Sequence, residues 1–416
     1  MKYLIPLFLI LISSVSAYNY HGCALAPNNL HGWVVCLDTV MILYTTDGGA
    51  TWQPQDPPDS TTKRFFDVTC IDQLSAWTCG ILGEILHTDN GGIDWYAQAI
   101  GLSKYATRIE FINQDYGWAA CGDGTIGRTT NGGNFWDQNF TPWYSAEYYG
   151  VSFLNQWDGW AVAGYPDSLS LGQGMIIHSS DGGINWDSLY QTSGYEDYLD
   201  VHFFNLFDGI VVGGDETDTS AVILKTTDGG ATWNNITPPT NTYYLRAVDF
   251  VGNHGWAVGR FGTIIYTNDS GDSWVFQNNP ATTTLFDVDF SDSLHGIACG
   301  YNIILYTTDG GQNWNGTSVV EKNSTACLNK EFIIFPTPAS DRLKVIYNTA
   351  VSGQGQDIEV HIYDTAGREL YGFVKHLNRY PDRIEWKIEF NLAGGIYFLE
   401  LREQDRTLIR KFTVFR

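Results

Sequence analysis

The chain has 416 residues, 44% of them hydrophobic and 15% aromatic, with a formal net charge of −23 and a pI near 4.5. That hydrophobic share excludes a disordered chain. A charge this negative repels phosphate backbones and anionic lipid surfaces, which argues against nucleic-acid binding and membrane-surface attachment.

Residues 1–17, MKYLIPLFLILISSVSA, read as a secretory signal. Lys2 opens it, an apolar run follows over 4–12, and Val15-Ser16-Ala17 forms a small-residue cleavage site. The run is too short to span a bilayer, so no transmembrane segment is expected. Export takes the chain into compartments that permit disulfides. The seven cysteines are Cys23, Cys36, Cys70, Cys79, Cys121, Cys299 and Cys327. Cys23/Cys36 and Cys70/Cys79 fall on successive predicted strands. Either pair can bridge if its register places the two opposite; the alternative is small core residues. An odd count leaves at least one thiol free. No Cys/His spacing suggests a metal, and no cofactor is expected.

From residue 18 to 320 one pattern repeats seven times. Its mark is the box YTTDGGATW at 44–52, which returns at 87–95, 128–136, 178–186, 225–233, 266–274 and 306–314. Each box follows three short apolar stretches. In the sixth copy these are Ala247-Val248-Asp249-Phe250, then Gly255-Trp256-Ala257-Val258-Gly259, then Thr263-Ile264-Ile265-Tyr266. Apolar residues at i and i+2 mark half-buried strands. Four short strands per repeat, seven times over, predict an all-β, seven-bladed β-propeller. The ring closes by packing of blade seven on blade one or by a shared strand; the sequence leaves both open. Inside the box, Asp47, Asn90, Asn131, Asp181, Asp228, Asp269 and Asp309 can accept backbone N–H groups of their own turn. The glycines after them supply positive φ. The tryptophan packs into the stack. Recurrence in every blade makes the box a structural staple rather than a reaction centre.

The box resembles the Asp-box, or BNR repeat, of sialidases and related propellers. The fuller pattern GWAVG–x–GTI–x–TTDGG–x–TW resembles the photosystem II stability/assembly factor family. That resemblance implies a lumenal seven-bladed propeller with a chaperone-like role built on an arginine-rich patch. Here only Arg64, Arg108, Arg128, Arg246 and Arg260 fall in the predicted propeller. An assembly-factor-like chaperone for an envelope protein is therefore one alternative function.

After the seventh box, 321–331 reads as a linker and 332–416 as a separate set of short strands, predicted to form a small Ig-like β-sandwich. The segment resembles the type A C-terminal sorting domain of the type IX secretion system. The matching motifs are Phe335-Pro336-Thr337-Pro338-Ala339-Ser340-Asp341, the Ile362-Tyr363-Asp364 hairpin running to Gly367-Arg368, the strand after Leu392, and the Lys411–Arg416 ending. The resemblance implies a Bacteroidota-type bacterium and passage through the outer membrane by way of the secretion machinery. The product is then released or held at the cell surface.

A propeller places its ligand on the face opposite the boxes. Candidate residues there are Trp143, Tyr144, Tyr149, Tyr195, Tyr198, Tyr243 and Tyr244, as sugar-stacking or peptide-gripping aromatics or as loop packing. Asp67, Asp200 and Asp287 occupy one column of the first strands with Arg108 beside them. They line the channel mouth, as ligand-binding groups or as a solvated polar lining. A sialidase needs an arginine triad and a Tyr–Glu pair, and the Arg-Ile-Pro signature is absent: Arg108-Ile109 is followed by Glu110. The expectation is a non-catalytic binding or scaffold module for a protein or glycan. A glycan-active hydrolase on the same fold is the rival.

Overall fold

The computed structural model describes residues 18–38, 41–58, 64–98, 105–143, 146–164, 174–192, 196–215 and 220–319, and a set of strands between 332 and 414. The signal reading, Tyr144, Tyr195 and Cys327 lie outside the described residues. The chain divides into two compact units, Met1–Val320 and Glu321–Arg416.

The first unit is a ring of seven antiparallel sheets, each in chain order from the axis outward. The inner strands are Tyr20–Leu25, Phe65–Cys70, Ala106–Phe111, Glu147–Phe153, Glu196–Phe203, Leu245–Val251 and Leu285–Phe290. The second strands, such as Gly32–Cys36 and Gly117–Cys121, are buried along their whole length because a neighbouring blade covers each face. Runs such as Trp-Val-Val-Cys and Trp-Ala-Ala-Cys suit such two-sided burial.

The tryptophan of the second strand joins the blades. Trp118 stacks on Phe153 of the next blade, with ring centres 3.6 Å apart and planes 4° from parallel. Its indole N–H donates to Gly182 O in the next box at 2.8 Å. Trp77 repeats this with Phe111 and Gly132, Trp160 with Phe203 and Gly229, and Trp256 with Phe290 and Gly310. The box therefore does two jobs. Within a blade, the Thr45 hydroxyl donates to Asp47 and accepts Gly49 N–H, while Asp47 accepts Thr51 N–H. Between blades, its carbonyl receives an indole. Gly48 and Gly49 sit at φ +71° and +94°, where a side chain is strained.

Closure combines the two open alternatives in an unequal way. Blade one builds all four of its own strands, from Tyr20–Leu25 to Thr51–Gln55. Ser318–Val319 then adds a short fifth strand, parallel to Thr51–Trp52 on its outer edge. The main seal is packing: Tyr20, Cys23, Leu25, Val34, Leu43 and Trp52 of blade one form one core with Ile297, Cys299 and Ile304 of blade seven.

The registers do not place the expected cysteine pairs opposite. Cys23 faces Val34 and Cys36 faces Tyr20, while Cys70 faces Ala76 and Cys79 faces Asp67. The six described cysteines are free thiols.

The second unit holds two four-stranded antiparallel sheets. One contains Phe332–Phe335, Arg342–Asn348, Arg383–Glu389 and Phe373–Arg379 in that order. The other contains Glu369–Leu370, Glu359–Asp364, Gly395–Glu403 and Arg406–Val414. Among the described residues no helix is long and apolar enough to cross a membrane.

Trp160→Ala removes a buried stack and an inter-blade hydrogen bond together. It is expected to cost about 3–5 kcal/mol, read as a lowered urea midpoint with unchanged secondary structure.

Candidate functional site

The seven inner strands enclose a channel of about 350 Å³. Side chains alternate along each strand, so every second residue reaches the axis. The upper axial layer is Gly22, Asp67, Arg108, Gly150, Asp200, Ala247 and Asp287, one from each blade. The next is Ala24, Thr69, Glu110, Ser152, His202, Asp249 and Asp289.

Arg108 crosses the axis. It contacts Asp287 at 2.7 Å, Asp200 at 3.2 Å and Asp67 at 3.6 Å, on blades seven, five and two. The predicted column is thus one ion cluster, and Arg108 is its hub. The two glycines of this layer let the next blade's inner strand approach closely. A Cβ at Gly22 would lie 2.6 Å from the Asp67 Cα, and one at Gly150 2.9 Å from the Asp200 Cα.

The carboxylates also bind backbone. Asp67 accepts Ile109 N–H, Asp200 accepts Val248 N–H and Asp287 accepts Cys23 N–H, each on the following blade. One layer down, Glu110 accepts Phe153 N–H, Asp249 accepts Phe290 N–H and Asp289 accepts Leu25 N–H; the Ser152 hydroxyl accepts Phe203 N–H. The sequence exposed the acids but not this use of them. An inner-strand N–H that faces a neighbouring blade needs an acceptor, and a short acidic side chain supplies one.

Burial raises Asp67, Asp200, Glu110, Asp249 and Asp289, against the pull of Arg108 on Asp67 and Asp200 and of the accepted N–H groups. Asp67 and Asp289 rise to about 7, Asp200 to about 6 and Glu110 to about 8, and Asp249 is also raised well above the usual carboxylate range. Arg108 is held charged: burial opposes its charge, but Asp200, Asp287 and Asp67 outweigh it. Burial lowers His21 and His202 to about 4.

Above the acids sits a feature absent from the sequence reading. Every inner strand skips one residue in its pairing with the second strand, between Phe65 and Asp67 for example, or Leu285 and Asp287. The same shift occurs in the other five blades. The skipped residues are His21, Phe66, Thr107, Tyr149, Leu199, Arg246 and Phe286, all half-buried. A bulge re-aims its side chain; the seven lie one residue before the Arg108 layer, and contacts join four of them, His21, Phe66, Arg246 and Phe286, into a collar at that end of the inner strands. His21 stacks on Phe286 at 5.0 Å and meets Phe66 edge-on at 5.4 Å. Arg246 lies over Phe286 at 5.2 Å.

The predicted aromatics separate into two groups. Tyr198 and Tyr244 are buried, so they depart from the expectation of ligand-gripping residues. Tyr198 packs in the core between blades four and five. Tyr244 lies under the Arg260 guanidinium, 4.7 Å from its ring centre. Tyr198 stands directly before the bulge of its strand and turns into the sheet stack, whereas Tyr244 precedes its strand, which begins at Leu245. Trp143 packs against the core between blades three and four. Tyr149 belongs to the collar, where its hydroxyl donates to Glu147. Tyr243 is 39% exposed and packs edge-on against Phe261, itself 61% exposed. Among the described residues no group of three His, Cys, Asp or Glu side chains forms a metal cage.

These features define a class: a seven-bladed Asp-box propeller with an acidic channel under an aromatic collar. Comparison with known proteins narrows it. Residues 191–278 match the family described as photosynthesis system II assembly factor YCF48, residues 43–54 the BNR/Asp-box repeat, and residues 333–415 the secretion system C-terminal sorting domain. The chain is 27% identical over 122 residues to the chloroplastic photosystem II stability/assembly factor HCF136 of Arabidopsis thaliana, covering 27% of this chain and 29% of the relative. It is 28% identical over 106 residues to the photosystem II assembly lipoprotein Ycf48 of Synechococcus sp. (strain CC9902), covering 24% of this chain and 32% of that one. The matched stretches thus span about three tenths of these relatives. The solved structure of YCF48 bound to D1 peptide superposes with a TM-score of 0.57 at 18% identity, over 71% of this chain and 96% of that one, a likeness of fold. The chain is therefore an Asp-box propeller similar to these assembly factors that also carries a type IX sorting domain, which marks it for export.

Between pH 7 and 8 the channel histidines are largely neutral folded or unfolded, while Glu110, and in part Asp67 and Asp289, hold protons that the unfolded chain has already lost. Folded stability therefore falls as pH rises through this window. Glu110→Gln keeps an acceptor for Phe153 N–H. It is expected to flatten the fall and raise stability at pH 8 by about 1 kcal/mol, with little effect at pH 5, in thermal melts across the range.

Proposed function

We propose that this protein is a non-catalytic binding propeller, delivered to the cell surface or beyond, whose collar grips an extended polypeptide segment of a client protein. The observation that carries this reading is the collar itself. Half-buried rings of His21, Phe66 and Phe286 on blades one, two and seven adjoin one another and the Arg246 cation, one residue before the Arg108 layer. Rings and a guanidinium present area and hydrogen-bonding capacity with few torsions to freeze, which suits recognition of a peptide. The peptide in the YCF48 complex supports the choice of ligand class, and the sequence likeness to assembly factors supports a client-handling role.

The acids below argue for binding over hydrolysis. A general acid must reach its substrate with a proton to give, and a nucleophile needs a lone pair to use. Asp67, Asp200, Asp287, Asp249, Asp289 and Glu110 each accept a backbone N–H from the next blade, and three of them also hold Arg108.

For the C-terminal unit we propose an Ig-like sandwich of its two sheets, read by the secretion machinery and removed on export. Sec passage followed by outer-membrane translocation gives a product that is released or surface-linked.

A peptide and glycan array with the propeller (residues 18–320) tests the binding reading. Peptide binding is expected, and Phe286→Ala or Phe66→Ala should weaken it tenfold or more. Turnover of chromogenic glycosides, lost in Asp200→Asn, would instead establish the hydrolase. Separately, a chain lacking 332–416 is expected to remain in the periplasm when expressed in a host with the secretion system; undiminished surface delivery would sink the sorting assignment.

A further inference from the structure

The seam between blades one and seven holds two thiols. Cys23 lies on the inner strand of blade one and Cys299 on the second strand of blade seven, and both are buried in the core that closes the ring. Across the seam, Cys23 Sγ donates to Ile297 O at 3.9 Å, two residues before Cys299 on the same strand. The backbone around them is fixed. Cys23 N–H donates to Asp287 Oδ2 at 2.8 Å, and Asp287 is the cross-strand partner of Cys299. Asp287 thus links the two sides of the seam, its carboxylate holding the Cys23 backbone and its own backbone pairing with Cys299. In sequence they are 276 residues apart (299 − 23), so a bond between them encloses most of the propeller.

We propose that Cys23 and Cys299 form a disulfide in the exported protein, a covalent clasp that locks blade seven to blade one. The step is thiol–disulfide exchange with a disulfide-bearing oxidant. The Cys23 thiolate attacks the oxidant's S–S bond, forming a mixed disulfide and releasing one thiol. The Cys299 thiolate then attacks Cys23 Sγ, forming the new bond and releasing the second thiol. Two protons leave the cysteines, and the two electrons reside on the reduced oxidant.

The clasp has a timing built into it. Burial raises the Cys23 and Cys299 thiols, so in the closed ring few thiolates are present to react. Exchange therefore belongs to folding, when the seam is open. A disulfide that closes a long loop restricts the unfolded chain most, and this one encloses six of the seven boxes. The other described cysteines have other contacts: the Cys79 and Cys121 thiols donate to Ala106 O and Ala119 O.

The place of the bond in the cell rests on the export reading; its chemistry does not. Full-length chain is unfolded, reduced, and refolded with a mixture of oxidised and reduced glutathione. Its mass, and its non-reducing peptide map after thiol alkylation, are then read. The expected result is a loss of 2 Da, one linked peptide pair containing Cys23 and Cys299, and a melting temperature at least 5 °C above that of the same chain refolded in reductant. Cys23→Ser/Cys299→Ser should lose both the mass change and the temperature difference. Full alkylation of Cys23 and Cys299, or a bond between any other pair, overturns the clasp. A bond found after refolding but missing from protein recovered outside the producing cells leaves the chemistry standing and counts against export through an oxidising compartment.

Discussion

One guanidinium holds the centre of the ring. Arg108 lies among six carboxylates and touches three of them at 2.7–3.6 Å. Each such contact is worth a few kcal/mol, about 4 at 4 Å with an effective dielectric of 20, against a desolvation cost of several kcal/mol per buried ion. The cluster therefore adds little net stability and much geometry. It fixes blades two, three, five and seven to one point, while Gly22 and Gly150 in the same layer let the following inner strands approach closely. A larger residue at either glycine would push against a neighbouring inner strand.

The ring is held at two radii by different chemistry. Near the axis, carboxylates and a serine hydroxyl receive the inner-strand N–H groups of the next blade. Farther out, the second-strand tryptophan lies flat on the next blade's phenylalanine and reaches into its box. The two systems complement each other. Blade five has Ile210 where others have tryptophan, and blade seven has Ile297, so neither has an indole to donate. Asp200 and Asp287 on those same blades bind the next blade's backbone and Arg108. The axial contacts are thus present where the indole clamp is missing. Blade seven needs them most, because it meets blade one at the seam.

Blade number, strand order and the column Asp67, Arg108, Asp200 and Asp287 were legible in the sequence, because each repeats at a fixed distance from a box with strong turn chemistry. What the column does was not. Whether an aspartate faces water, a cation or a neighbouring N–H depends on the rotation between blades, and no single repeat encodes that. The collar was hidden for a related reason. A bulge moves one residue out of register, so strand alternation does not reveal that Phe66 and Phe286 leave the ladder. Tyr198 and Tyr244 show the same effect in reverse. Both are buried, Tyr198 directly before a bulge and Tyr244 directly before its strand, although a cluster of tyrosines in a loop-rich stretch reads as a surface.

These constraints separate recognition from architecture along the axis. The box end of each blade is committed: its glycines, hydroxyls and carbonyls are bonded within the blade or to the next indole. The upper acids are committed as well, to Arg108 and to backbone. The bulged residue is less uniformly committed: Thr107 donates to Ala120 O and Tyr148 O, His21 meets Phe66 O and Tyr149 donates to Glu147, but no one bond recurs around the ring. It sits outside the ladder, and its side chain can change from histidine to phenylalanine, threonine, tyrosine, leucine or arginine around the ring without disturbing the seven sheets. A position that tolerates six different side chains in one molecule is one where the fold makes no demand on chemistry. Propellers with the same boxes can therefore differ in ligand by exchanging seven residues at the mouth while the stapled frame below stays the same.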